Sequence, residues 1–297
     1  MSDLRKAYIY AGITVLMWAT VATAFKIALA SLNTIQLLMV ANTTSWVVFL
    51  GLILAGGKLP VLWKTNLKDL AISSLQGFLN PFAYYLILFE AYSLLPAQIA
   101  QPANFVWPIV LMLLSVPILG HTLRWQSVVA LLISFSGVVV LASQGQLQSL
   151  RIINPLGISL CFASSLLWSF FWILNMKDQR DVLIKLYLSF SFSLSDIFIL
   201  AGVTGNLKHI DTISLAPAIY IGLFEMGLSF VFWLKALQYA GSTSKIVNLI
   251  YLTPFLSLIF IHFVLGEKLF YTTFIGLCLI VAGISIGSLK KQPIKTI

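Results

Sequence analysis

The stretch from Pro108 to Gly137, PIVLMLLSVPILGHTLRWQSVVALLISFSG, has a gapless counterpart from Pro254 to Gly283, PFLSLIFIHFVLGEKLFYTTFIGLCLIVAG. Pro108, Leu119, Gly120, Leu123, Leu131 and Gly137 fall on Pro254, Leu265, Gly266, Leu269, Leu277 and Gly283, each 146 positions later. Earlier in each copy, Gly77-Phe78-Leu79-Asn80 precedes Gly222-Leu223-Phe224-Glu225 by 145. The matches fall on helix breakers and close-packing residues, where chance agreement at one spacing is least expected. Each copy holds about five apolar runs. An odd number of membrane crossings is thus repeated, and the second copy has to sit upside down relative to the first. Inverted repeats that meet around a central site are the architecture of secondary transporters.

Composition outside these stretches agrees. The chain is 60% hydrophobic and only 9% charged, with a mean hydropathy of +0.98, which excludes a soluble globular class. Its net charge of +9 is scattered between apolar runs rather than gathered in one patch, so no nucleic-acid partner is expected. Cys161 and Cys278 both lie inside apolar runs and read as packing residues, not as a disulfide or metal pair. The first apolar run is too long for a cleavable leader and continues as a full span. There is no phosphate loop and no zinc-protease pair of histidines, which argues against an ATP-driven pump or a metalloprotease; no cofactor or metal is implied. No arginine sits in the middle of a span, which argues against phosphorylated substrates.

A bilayer core of about 30 Å needs roughly 20 apolar residues per helix. On that ruler the chain holds ten spans: 7–30, 34–55, 70–92, 97–118, 126–143, 155–176, 183–204, 216–239, 243–265 and 270–288. The expected fold is an all-α integral membrane protein of ten transmembrane helices in two inverted five-helix repeats, residues 1–145 and 146–297, forming one structural unit. Barrel strands are excluded, because the runs are twice too long and do not alternate. With the N-terminus inside, 14 Lys and Arg residues gather on the cytoplasmic side against 4 outside. Both termini are therefore expected in the cytoplasm.

Ionisable groups at mid-membrane are costly and ask for a reason. Asp196 and Glu225 are the two carboxylates near a span centre. Asp196 reads equally as an interhelical hydrogen-bonding group or as a functional acid. Glu225 reads as functional, because it occupies the place Asn80 holds in the first repeat, and the two polar groups would face each other across the pseudo-twofold axis. A carboxyl group held away from water favours its protonated form, so an ammonium on the substrate would compete with that proton. Lys26 and Glu90 lie near the outer ends of helices one and three and suggest an external gate pair, with simple snorkelling as the other reading.

Helix breakers concentrate at Asn80-Pro81, Gln101-Pro102, Trp107-Pro108 and Thr253-Pro254. Each proline frees a carbonyl one turn earlier, which a neighbour or a substrate has to meet inside a membrane. Gln98, Gln101, Asn104 or Phe105, and Pro108 recur at helical spacing on helix four, as do Ser244, Asn248, Tyr251 and Phe255 on helix nine. Trp63 and Trp125 fit the interfacial belt. Trp18, Trp107 and Trp168 lie too deep for it and read as cavity walls that offer a ring face to a cation. The expected cavity set is Trp18, Asn80, Tyr84, Gln98, Gln101, Asn104, Trp107, Trp168, Trp172, Glu225, Asn248 and Tyr251.

Two five-helix repeats that each end Pro … Leu-Gly-x-x-Leu … Gly resemble the drug/metabolite transporter superfamily, and within it the ten-helix bacterial exporters of EamA type. Leu265-Gly266-Glu267-Lys268-Leu269 matches the family's acidic turn, while its first-half counterpart carries His121 instead of an acid. Met17-Trp18-Ala19-Thr20 and Leu167-Trp168-Ser169 match the tryptophan near the start of each half. Asn42 stands near the place where many relatives carry an arginine. Asn104-Phe105-Val106-Trp107-Pro108 is similar to the helix-four motif of the aromatic amino acid exporter branch. The resemblance implies alternating access around a cavity lined by helices one, three, four, six, eight and nine. It points to export of amino acids or similar small metabolites across a bacterial cytoplasmic membrane, with protons and membrane lipid as further partners and no enzymatic activity. Uptake by exchange is the rival within transport. A membrane-embedded enzyme using Asp196 and Glu225 as acid and base, or a scaffold without flux, are the rivals outside it.

Overall fold

A computed structural model describes residues 3–119, 125–145, 154–207, 215–240 and 248–288. His121, Arg124, Arg151, Lys208, Ser244, Lys245, Lys290, Lys291 and Lys295 lie outside the described residues, as do the side chains of Asn248 and Tyr251.

Among the described residues every regular element is helical. Helices α1 (Asp3–Leu29) and α2 (Thr34–Ala55) are followed by a single short turn, α3 (Leu59–Leu62). The next helix is broken: α4 (Leu67–Gly77) runs through a π-helical turn, Phe78–Ala83, into α5 (Tyr84–Leu94). Asn80 leaves helical geometry there (φ −152°, ψ 122°), next to Pro81. Helices α6 (Ala97–Asn104) and α7 (Trp107–Leu119) flank a second break at Phe105 and Val106, and α8 (Trp125–Ala142) follows. The remaining helices are α9 (Pro155–Lys177), α10 (Val182–Thr204), α11 (Leu215–Tyr220), α12 (Leu228–Ala240), α13 (Thr253–Leu265) and α14 (Tyr271–Ser288). A π-helical turn, Ile221–Glu225, lies between α11 and α12, and a 3-10 turn, Asn248–Leu252, precedes α13. Pro254 therefore starts a helix instead of kinking one, which suits its missing N–H.

Local chemistry fixes these limits. Asn33 and Gln36 form a reciprocal capping box at the start of α2. Asn154 and Asp181 cap α9 and α10 by accepting backbone N–H bonds. Gly205 and Gly266 end α10 and α13 at φ +71° and +67°, a backbone region that side chains disfavour. Among the described residues six helical segments are long and apolar enough to cross a membrane, so the chain is a multi-pass membrane protein.

The helices cross the middle of the chain reciprocally. The π turn at Phe78–Ala83 and α4 pack on α10, while the π turn at Ile221–Glu225 packs on α2. A Cβ at Gly77 would overlap the Ser189 carbonyl oxygen, and one at Gly222 would overlap that of Ala41. Ser45 Oγ donates to Gly222 O at 2.8 Å, and Asn42 Nδ2 donates to Ser193 Oγ at 3.3 Å. Along α8 and α14, Gly137 faces Gly276 while Gly283 faces Ala130 and Ser134, so these helices lie antiparallel. Ser134 Oγ donates across the contact to Ile280 O at 3.1 Å. Small residues with serine hydrogen bonds are how membrane helices approach closely, because lipid supplies no hydrophobic drive between them.

Candidate functional site

The α6–α7 break and the π turn Ile221–Glu225 converge on a cavity of about 80 Å³. Its wall contains Trp18, Tyr84, Gln101, Asn104, Trp107, Trp168, Trp172 and Glu225 from the expected set. Phe25, Leu88, Tyr92, Phe105, Trp233, Ile250 and Thr253 complete it. Glu225 ends the second π turn, where the widened helix turns its carboxyl towards α5. Tyr85 Oη donates to Glu225 Oε1 at 3.1 Å. Tyr84 Oη donates to Asn104 Oδ1 at 3.3 Å, and Asn104 Nδ2 donates to Ser164 Oγ at 2.8 Å. Gln101 Nε2 reaches Trp18 O at 3.4 Å, leaving Gln101 Oε1 buried without a partner among the described residues.

The broken helix α6–α7 is stitched to α9. Pro108 cannot donate to Asn104 O, and Ser165 Oγ does so at 2.8 Å. One turn along, Ser169 Oγ donates to Trp107 O at 3.0 Å; one turn back, Cys161 Sγ reaches Ala100 O at 3.6 Å. The four-residue period of Cys161, Ser165 and Ser169 is a signal the sequence carried and that helix-breaker reasoning passed over.

Other expected residues fall elsewhere. Gln98 does not line this cavity: Thr273 Oγ1 donates to its Oε1 at 2.9 Å and its Nε2 donates to Lys268 O at 3.0 Å, tying α6 to the start of α14. Asn80 is buried in its π turn, off the cavity wall, and both its amide atoms lack partners among the described residues. Lys26 and Glu90 do not pair. Lys26 Nζ donates to Tyr92 O at 2.9 Å and Leu95 O at 3.2 Å, whereas Glu90 accepts from Thr34 Oγ1 at 2.9 Å. Each group is satisfied by its own partner, so no gate pair forms between them. Asp196 is absent from the cavity wall, so no acid–base pair with Glu225 forms there.

Polar contacts gather at both ends of the bundle. At one end Lys58 Nζ meets Asp181 Oδ2 at 2.5 Å and Arg180 Nη2 meets Asp178 Oδ2 at 2.6 Å. Arg180 Nη1 also donates to Asp69 O at 2.9 Å and Ser73 Oγ at 3.0 Å on α4. Burial works against ionisation of Asp178, but the side-chain and backbone hydrogen bonds from Arg180 outweigh it and hold the carboxyl below the ordinary aspartate value. Asp181 is held low in the same way, with Lys58 as its partner. At the other end Glu267 accepts from Ala97 N at 2.8 Å and Gln98 N at 3.2 Å, capping α6. Beside it lies an open depression of about 440 Å³ lined by Lys26, Ser93, Gln98, Glu267 and Lys268 among others.

Comparison with known proteins places this geometry. The EamA-like transporter family matches residues 5–143 and 155–289. An uncharacterized transporter of Archaeoglobus fulgidus is 28% identical over 164 residues, 54% of this chain and 56% of that protein. The uncharacterized transporter YvbV of Bacillus subtilis is 24% identical over 250 residues, 82% of this chain and 81% of that protein. A solved structure titled only as the crystal structure of a protein shares the fold, with a TM-score of 0.66 at 21% identity over 95% of this chain and 96% of that one. The chain belongs to the EamA-like transporter family.

Proposed function

We propose that the protein is a secondary transporter that exports amino acids or similar small metabolites across a bacterial cytoplasmic membrane by alternating access, exchanging substrate for protons at Glu225. The observation that carries this reading is a cavity walled by α1, α5, α6, α9 and α12, from both halves of the chain, with one carboxyl group in it. Alternating access would exchange the Lys58 and Arg180 contacts at one end for the Glu267 contacts at the other. Partly exposed ion pairs such as Lys58–Asp181 contribute only about 0–1 kcal/mol each, so substrate binding energy suffices to exchange one set for the other.

Ten crossings follow if the broken helices α4–α5, α6–α7 and α11–α12 each count once. An in-plane axis relating the halves is supported by α8 and α14, whose equivalent residues lie antiparallel; an axis along the membrane normal would set them parallel. The reciprocal contacts of Gly77 and Gly222 fit the same axis. Both termini then face the cytoplasm, and a C-terminal reporter that fluoresces only in the periplasm is expected to stay dark. A lit reporter would sink this topology.

The reading is tested by flux in proteoliposomes. Amino acids and related metabolites are expected to move when a proton gradient is imposed and to stop when it is collapsed. Trp107→Ala, which removes one wall while Ser169 still holds the Trp107 carbonyl, is expected to impair flux with little loss of folded yield. Product formation by detergent-solubilised protein without a gradient, or gradient-independent behaviour throughout, would overturn the reading.

A further inference from the structure

The chemistry of the cavity wall is one-sided. Among its described residues Glu225 is the only acid, and no Lys, Arg or His lines it. Five tryptophans, Trp18, Trp107, Trp168, Trp172 and Trp233, border the space. Trp168 stacks on Tyr84 with centroids 4.7 Å apart and stands edge-on to Trp172 at 5.8 Å and Trp107 at 6.3 Å. Indole faces carry partial negative charge and attract cations, more strongly once water is excluded.

The hydrogen-bonding groups add no positive charge. Gln101 Oε1 is a bare acceptor. Several donors are already engaged, with Tyr85 on Glu225, Tyr84 on Asn104, Asn104 on Ser164 and Gln101 on the Trp18 carbonyl. The other donor-bearing groups of this wall, the tryptophan indoles and the Tyr92 and Thr253 hydroxyls, are all neutral. An ionised carboxylate brought here would lose its water, face the acid and the ring faces, and gain no cationic partner.

We infer that within this class of small metabolites the cavity favours protonated amines that lack a carboxylate, so that the decarboxylated form of an amino acid is a better cargo than the amino acid itself. The ammonium sits between Glu225 and the Gln101 carbonyl oxygen, against the Trp168 and Tyr84 rings. About 80 Å³ holds such a head group with a few carbons. This inference rests on the transport reading for its flux arm but not for its binding arm.

The test uses purified full-length protein and two triads that share a body and differ in charge. One is 3-methylbutylamine, leucine and 4-methylpentanoate; the other is phenethylamine, phenylalanine and 3-phenylpropanoate. Thermal stabilisation in detergent reads binding, and proton-gradient-driven flux in proteoliposomes reads transport. The amines are expected to stabilise and move at least tenfold better than their partners, and Glu225→Gln to abolish the amine's stabilisation while Gln101→Ala weakens it. Amino acids that move or bind better than the amines would overturn the inference and leave transport standing. Amines that bind with no solute moving would uphold the inference and overturn transport. Amines that neither bind nor move would overturn the inference outright.

Discussion

Glu225→Gln is expected to flatten the pH dependence of transport and to cut flux about ten- to a hundredfold, the loss of one charge-assisted interaction worth ~1.5–3 kcal/mol. Glutamine keeps the shape and keeps an oxygen to accept the Tyr85 hydroxyl, which lies 3.1 Å from Oε1, so folded yield is expected to hold. In the parent protein one carboxyl group binds either a proton or the substrate's ammonium. Raising the pH on the loading side removes the competing proton, so flux rises with pH. With an amide there is no proton to remove, and the curve goes flat. Flux assayed across a pH series in proteoliposomes decides it. An unchanged rate with an unchanged pH profile would make Glu225 a structural acceptor for Tyr85 and nothing more.

The route to Glu225 shows what the sequence made legible. Its register with Asn80 came from a repeat offset, and both residues do occupy π turns, at Phe78–Ala83 and Ile221–Glu225. Only the first turn announces itself, through Pro81. The second has no proline, so its widening depends on the tight approach of Gly222 to α2, a tertiary contact. Sequence spacing likewise put Gln98, Gln101 and Asn104 on one stripe. It carried no measure of depth, and Gln98 in the first turn of α6 ends at the rim, bonded to Thr273 and Lys268. Phe25, Leu88 and Tyr92 gave no signal, because an aromatic or leucine on an apolar helix looks the same whether it packs or lines a hole. Lys26 failed for another reason: a lysine in a span reads as seeking an acid, yet the open carbonyls of Tyr92 and Leu95 at the end of α5 satisfy it. Backbone acceptors at helix ends are invisible to residue-type reasoning, and the stitching of α6–α7 by Ser165 and Ser169 was missed on the same ground.

The largest loss of folded protein is expected from Gly77→Val and Gly222→Val, and the two losses are expected to match. At each position a side chain would run into a backbone carbonyl of the facing helix, Ser189 O or Ala41 O. A carbonyl held in a helix cannot swing aside as a flexible side chain does, so relief requires the helices to separate. Overpacking of this kind costs about 1–3 kcal/mol and sometimes more, and separation here also breaks the Ser45 bond to Gly222 O. Gly12 and Gly51 provide the contrast, since a Cβ at either meets nothing within 4 Å. Alanine at those helix-interior sites is expected to be neutral or to stabilise by about 0.5–1 kcal/mol, because glycine loses more freedom on folding. Monodisperse yield and melting temperature in detergent report all four variants. If Gly77→Val and Gly222→Val melt like the parent, the helices do not cross as closely as described. If only one of them fails, the crossings are not equivalent, and the twofold relation between the halves is lost with them. Equal failure at positions 145 residues apart, each against the second helix of the opposite half, is what an inverted repeat requires and what two unrelated packing contacts have no reason to produce.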